Sequence, residues 1–382
     1  MLGIRDVTIV TMQNGTMTKG DVLLADGRIK AYGEAVDLAG CERIIEGRGR
    51  VLTPGLIDAH THLGLSESGV GREGTDTNES THPLTPYLSV RDGINMQDQA
   101  FESFRRAGIT TVGILPGSGN ILGGTGLALK CRGDIVDDVV LKDPIGMKAA
   151  LGENPKGLYG ERKQSPATRM GNAALLRSAL LRAKDYLNKG EDHPRDPQSE
   201  ALIPVLKREI PLIIHVHRHD DITTAIRIAN EFGVKCHLAH VTDGYMVTDV
   251  LKRGGVYCGV GPTMHYPSKV ENKERDFRTA VVLDRENIPF CLFTDHPVVD
   301  GRNLVLTASI ATQWGLSDES ALAAITVWAA RYLGVENRVG SIAVDMDADL
   351  VLWSGNPLEL TTFVDMTIID GEIVYQRGMQ PC

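Results

Sequence analysis

The sequence predicts an α/β fold: a closed (β/α)8 TIM barrel, with a small discontinuous β-rich unit built from both ends of the chain. Three observations predict it. Strand-type alternation is confined to the two ends, apolar strand runs alternate with helical segments between them, and histidines gather at the ends of those runs.

The first fifty residues alternate as half-buried strands do, in DVTIVTM and in GDVLLAD/RIKAYG, which pivots on Asp26-Gly27. The last forty repeat the style in ADLVLWSGNP and in MTIID/EIVYQRG, which pivots on Asp370-Gly371. Neither end carries enough apolar surface to fold well alone, so the two are expected to pair with each other. This divides the chain into residues 1–53 with 340–382, and a barrel of residues 54–339.

Within the barrel region the expected strands run over 56–62, 109–115, 126–132, 144–149, 212–217, 234–240, 256–261 and 289–295. Eight is the number a closed parallel barrel needs, and the span is near the ~250 residues typical of one. Helical patterns cover 97–107, 172–188, 222–232, 247–253 and 320–332. Residues 151–210 form a long polar connection, read as a lid insertion at the barrel mouth.

Composition narrows the class of function. With 382 residues, 42% hydrophobic and 23% charged, the chain suits one large domain plus a small one. A formal charge of -9 argues against binding a nucleic-acid backbone. Six scattered cysteines with no C-x-x-C spacing indicate buried thiols in a reducing compartment, not a disulfide scaffold or a zinc ribbon. No window reaches the apolar length of a membrane span, and a cytoplasmic location is expected.

The eleven histidines sort by their place on these strands. In GLIDAHTHLG, Asp58, His60 and His62 share one face because strand periodicity is two, so both imidazoles enter the barrel together. Such a pair suits a divalent cation such as zinc, with Asp58 one step deeper as an acceptor for a ring N–H. The fifth strand, PLIIHVHRHD, again points His215 and His217 to one face, and parity does not choose between them; His219 is expected beyond the strand. In KCHLAH the two histidines face opposite ways. His240 sits at the carboxyl end where barrel sites assemble, and His237 packs outward.

Asp295 ends the last strand, in FTDHP. A carboxylate there is costly unless a cation or donor lies beside it, and beside a metal it can move protons. The fourth strand offers Lys148, a desolvated lysine able to react with carbon dioxide to give an anionic bridging ligand; Glu153 is its competitor. The glycine-rich run PGSGNILGGTG fits neither phosphate-binding consensus and reads as a loop lining the site. Lys156, Arg162, Lys163 and Arg169 can hold a substrate carboxylate or form a solvated face. His265 follows the seventh strand as a substrate-binding or capping residue; His82 and His193 read as surface residues.

TPGLIDAHTHLG, the histidines of strands five and six, FTDHP and the closing GSIAVDMDADLVLWSGNPLE together resemble the amidohydrolase superfamily over nearly the whole chain, most closely its imidazolonepropionase-related and prolidase-like groups. The resemblance implies a small β-sandwich made by the two termini. It implies His60, His62, Lys148, His215, His240 and Asp295 as ligands of one or two zinc ions, with His215 preferred to His217 and Lys148 carbamylated. His217, His265 and Arg169 are then substrate-binding. The implied activity is hydrolysis of a C–N bond in an amide, cyclic amide or N-acyl amino acid by metal-activated water, with Asp295 as proton shuttle. The implied partner is a small-molecule substrate, with no nucleic acid or membrane, and the implied assembly is a homo-oligomer. The sequence departs from the family in reading GMKAALGEN around Lys148, and in placing Arg218 where deaminases carry a glutamate. The alternatives are a mononuclear deaminase of a heterocycle and a catalytically silent structural relative.

Overall fold

The computed structural model describes residues 1–13, 17–189 and 194–378; His193 and Cys382 lie outside the described residues. The N-terminal strands are β1 (Leu2–Val10), β2 (Met17–Ala25), β3 (Arg28–Gly33), β4 (Arg43–Glu46) and β5 (Val51–Pro54). The barrel strands are β6 (Leu56–Thr61), β7 (Ile109–Ile114), β8 (Leu122–Lys130), β9 (Val140–Ala150), β10 (Leu212–Val216), β11 (Cys236–His240), β12 (Tyr257–Val260) and β13 (Phe290–Leu292). The chain closes with β14 (Leu350–Trp353), β15 (Val364–Ile369) and β16 (Glu372–Gln376).

Both ends of the chain enter one sheet, in the order β16-β15-β14-β5-β1-β2-β3, with β4 beside β1. The two hairpins turn where the sequence places them. Asp26 and Gly27 both have positive φ (51° and 72°), as do Asp370 and Gly371 (51° and 75°), the pair of left-handed residues that a tight two-residue hairpin needs. Ile4, Val7, Ile9, Leu24 and Leu52 from the N-terminal end are buried with Leu350, Leu352 and Ile368 from the C-terminal end in one core. The apolar surface that neither end can bury alone is therefore covered by the other.

The other eight strands form a nearly closed barrel in the order β13-β12-β11-β10-β9-β8-β7-β6. Its seam is drawn together by Asp295 N–H donating to the His60 carbonyl at 3.1 Å and His62 N–H donating to the His296 carbonyl at 2.8 Å. These strands read as nearly unbroken buried runs, as both faces of a covered barrel require.

The all-parallel expectation needs one correction: β8 runs antiparallel to both β7 and β9. A parallel neighbour requires a crossover connection of a dozen or more residues. Residues 115–121 and 131–139 offer only a loop and a one-turn helix, Val136–Val139. The reversal brings the amino end of β8, with Gly123 and Gly124, to the mouth beside Lys148; a Cβ on Gly123 would stand 3.9 Å from the Lys148 Cγ.

Residues 151–210 carry the helices Glu153–Glu161 and Arg169–Asn188 and two single turns. The Thr168 hydroxyl accepts the Gly171 N–H at the start of the second helix. Ala173, Leu176, Ala179, Leu180 and Ala183 form its buried stripe. His219 lies beyond the strand, as expected, but the helix begins there, three residues before the expected 222, and stops at Gly233, whose φ is 68°. Residues 62–108 are a second long connection, which bridges to β8 through Leu84 and Ser89. No helix among the described residues is long and apolar enough to cross a membrane.

Candidate active site

Strand periodicity delivers the histidines to one end of the barrel. His60, His215, His217 and His240 are at most 4% exposed. Their ring centroids lie 5.3 Å apart for His60 and His240, 4.3 Å for His215 and His240, and 4.7 Å for His217 and His240. Burial, with mutual repulsion and nearby Lys148 and Lys269, pushes the imidazole pKa values well below the usual range, so all four are neutral and able to present lone pairs.

Backbone and hydroxyl partners fix the tautomers. His62 Nδ1 lies 2.7 Å from the Leu115 carbonyl and His240 Nδ1 2.7 Å from the Gly261 carbonyl. A carbonyl only accepts, so in each ring Nδ1 carries the proton and Nε2 keeps its lone pair. His217 Nδ1 is 2.7 Å from the Thr242 hydroxyl. Nδ1 of both His60 and His215 is buried without a partner.

Asp295 faces this group, its Oδ1 3.4 Å from His62 Nε2 and 3.6 Å from His60 Nε2. Burial alone would raise its pKa. The Lys148 ammonium and the surrounding imidazoles favour the ionised form, and the net effect lowers it to about 2. Lys148 Nζ lies 2.9 Å from His60 Nε2, and burial lowers the amine to about 8. Asp295 (φ 56°), His240 (φ 80°) and Val241 (φ 40°) all have left-handed backbone, which costs a non-glycine residue roughly 1–3 kcal/mol and persists where surroundings enforce it.

Two sets of donors are close enough to hold a metal ion: His60, His240 and Asp295, and His215, His217 and His240. Clustered neutral imidazoles, an ionised carboxylate and two unpartnered ring nitrogens are the donor chemistry a divalent ion such as zinc accepts. The residues fit such a group.

The other expectations sort as follows. Glu153 is turned away from Lys148: its carboxylate accepts the Glu271 N–H at 3.2 Å, while its own N–H donates to Glu271 Oε2 at 2.7 Å. Asp58 does not hold a histidine ring; its carboxylate accepts the Thr294 N–H at 3.2 Å and the Thr294 hydroxyl. Burial raises its pKa to about 7 despite those bonds. His237 packs outward against Tyr257 and Tyr332, as expected. Arg169 donates to Asp221 at 2.8 Å, and His265 Nδ1 lies 3.2 Å from Arg275 Nη1.

Sequence reasoning missed a charged cluster on the loop after β12. Glu271, fully buried, places Oε1 3.8 Å from His215 Nε2 and 3.7 Å from Lys269 Nζ. Lys269 also donates to Asn154 at 2.5 Å. The segment SKVENKERD has the composition of a solvated loop, and nothing in its pattern marks Glu271 and Asn272 as buried.

Fold and site define a barrel hydrolase with a His/Asp centre at one mouth. The chain belongs to the Amidohydrolase family, whose model matches residues 51–374. It is similar to the crystal structure of an amidohydrolase from Thermotoga maritima, with 39% identity, a TM-score of 0.96, and 99% of this chain and 100% of that one covered. It is 28% identical to the amidohydrolase tasK of Hapsidospora irregularis over 92% of this chain, and spans 39% of the length of that protein. An imidazolonepropionase of Idiomarina loihiensis is 23% identical over 100% of this chain and 95% of its own length. A prolidase solved with N-methylphosphonate-L-proline shares the fold, with a TM-score of 0.62, 15% identity, and 98% and 100% of the two chains covered.

Proposed function

We propose that the chain hydrolyses a C–N bond in an amide, cyclic amide or N-acyl amino acid, and that it does so with one or two zinc ions held by His60, His62, Lys148, His215, His240 and Asp295. The observation that carries this reading is the ionised Asp295 carboxylate 3.4 Å from His62 and 3.6 Å from His60, in a nest of neutral imidazoles. When bound, zinc supplies Lewis acidity that brings the pKa of water towards ~7 and polarises the scissile carbonyl. A carbamate formed on Lys148 would replace its ammonium by an anionic two-oxygen donor.

Asp295, ionised above pH 2, accepts the proton of the attacking water. It then passes that proton to the leaving nitrogen. The buried walls Phe293, His60 and His240 keep bulk water from the reacting carbon. His217, whose Nδ1 lies 2.7 Å from the Thr242 hydroxyl, and His265, beside Arg275, are the residues assigned to substrate binding in this reading.

The test is a hydrolysis screen of the zinc-loaded chain against N-acyl amino acids, cyclic amides and amino-substituted heterocycles, reading both new amine and free ammonia. Amine or ring-opened acid supports the reading. Ammonia from heterocycles makes the protein a deaminase, and no turnover of any class removes the proposal.

A further inference from the structure

The basic residues at the mouth differ in how their charge is matched. Arg169 is paired with Asp221 at 2.8 Å, and its other arm stands 3.7 Å from Glu271. Lys269 faces Glu271 at 3.7 Å and Asn154 at 2.5 Å. Arg275 is different. Its Nε is buried with no hydrogen-bond partner, and its one side-chain contact is Nη1 donating to His265 Nδ1 at 3.2 Å. Among the described residues it has no carboxylate within ion-pairing distance.

A half-buried guanidinium without a carboxylate is expensive to maintain. Its planar fork of donors matches an incoming carboxylate, whereas a single-point cation would not. Arg275 belongs to the loop that meets the histidine centre: its N–H donates to the Asn272 carbonyl at 3.1 Å, and Glu271, the residue before Asn272, stands 3.8 Å from His215 Nε2. His265, accepting from Nη1, fixes the arm and leaves Nη2 without a hydrogen-bond partner among the described residues.

We propose that Arg275, positioned by His265, is the anion-binding residue of this site, and that the substrate presents a carboxylate to it. Within the C–N hydrolase reading, on which this rests, the substrate class is an acidic amide such as an N-acyl amino acid. The insertion's Arg169 is then a structural partner of Asp221.

The test compares a set of N-acetyl-L-amino acids with their matching N-acetyl amino amides, which lack only the carboxylate charge. Binding is measured by calorimetry on the zinc-loaded and the chelated chain, alongside hydrolysis. The wild-type chain is expected to bind at least one acid ~10- to 100-fold more tightly than its amide, the span of a charge-assisted pair. In Arg275→Met that ratio is expected to fall to near one, with Arg275→Lys intermediate and Arg169→Gln retaining the selectivity. A wild-type chain that binds acids no better than amides, or an Arg275→Met chain of unaltered melting temperature that keeps the ratio, overturns the proposal. Charge-selective binding without hydrolysis would leave the subsite standing and remove the hydrolase reading; hydrolysis without charge selectivity would do the reverse.

Discussion

Lys148 Nζ lies 2.9 Å from His60 Nε2, a lysine of β9 meeting a histidine of β6 inside the barrel. Both are buried, at 1% and 0% exposure, and no solvent stabilises an ammonium there. Burial lowers the amine to about 8, so it loses its proton far more readily than an exposed lysine, while His60 Nε2 accepts its hydrogen bond.

Replacing this amine removes the group that contacts His60. Lys148→Met is expected to lose most bound zinc while the fold persists, since a methionine of similar length fills the volume. Elemental analysis beside a thermal melt checks it; full metal content in the variant would exclude Lys148 as a ligand. Intact mass of the native chain in bicarbonate, one carbon dioxide heavier than the sequence mass, would show the carbamate.

Asp295→Asn keeps the shape at the mouth and removes the base. Turnover is expected to fall by ~10²- to 10⁴-fold, the usual range for a positioned proton carrier. Zinc content is expected to drop far less, because the histidines remain. Steady-state rates paired with metal analysis check this, and unchanged turnover would remove Asp295 from proton transfer.

Gly152 marks the turn from β9 into the mouth. Its φ is 84°, and a Cβ there would stand 2.6 Å from Glu271 Oε2 and 3.2 Å from Asp221 Oδ2. Gly152→Ala is expected to destabilise the chain by ~1–3 kcal/mol through backbone strain and displacement of Glu271. Denaturant unfolding measures it, and a loss below a few tenths of a kcal/mol would show that this turn relaxes freely.

Much of the architecture was legible because periodicity and turn chemistry are local. The Asp-Gly pairs at 26–27 and 370–371 need left-handed backbone wherever they sit, and parity alone aimed His60, His62, His215 and His217 inward. The sense of β8 was less plain, although the absence of a helical pattern on either side of it was a usable sign. Glu271 and Arg275 were invisible for a different reason: a charged loop folds inward only when tertiary partners such as the Glu153 N–H are supplied from far along the chain. Whether Glu153 competes with Lys148 was left open for the same reason, since their separation in sequence says nothing of the turn at Gly152 or of the pairing of Glu153 with Glu271.

Lys130 ties the barrel to the terminal sheet, reaching Asp347 at 2.7 Å, Asp349 at 3.1 Å, and Asp370. Burial raises Asp349 from 3.8 to about 6, against the pull of Lys130 and with a contribution from Asp370. A folded pKa above the unfolded one means the native state binds the extra proton. The stabilisation is complete below about pH 4 and is lost as pH rises through about 6. The stability of the native chain minus that of Asp349→Asn is therefore expected to fall by up to roughly 3 kcal/mol between pH 4 and pH 7. Unfolding at a series of pH values checks the slope, and a flat or rising difference would contradict the burial argument.

The central claim is that the His/Asp centre works through a bound divalent ion, and the most direct measurement is zinc content and C–N bond hydrolysis on one sample before chelation, after it, and after zinc is restored. The account predicts one or two ions per chain in the native protein, hydrolysis that disappears with them and returns with zinc, and neither ion nor hydrolysis in His60→Ala/His240→Ala. A chelated, metal-free chain that hydrolyses its substrate at the native rate would contradict it.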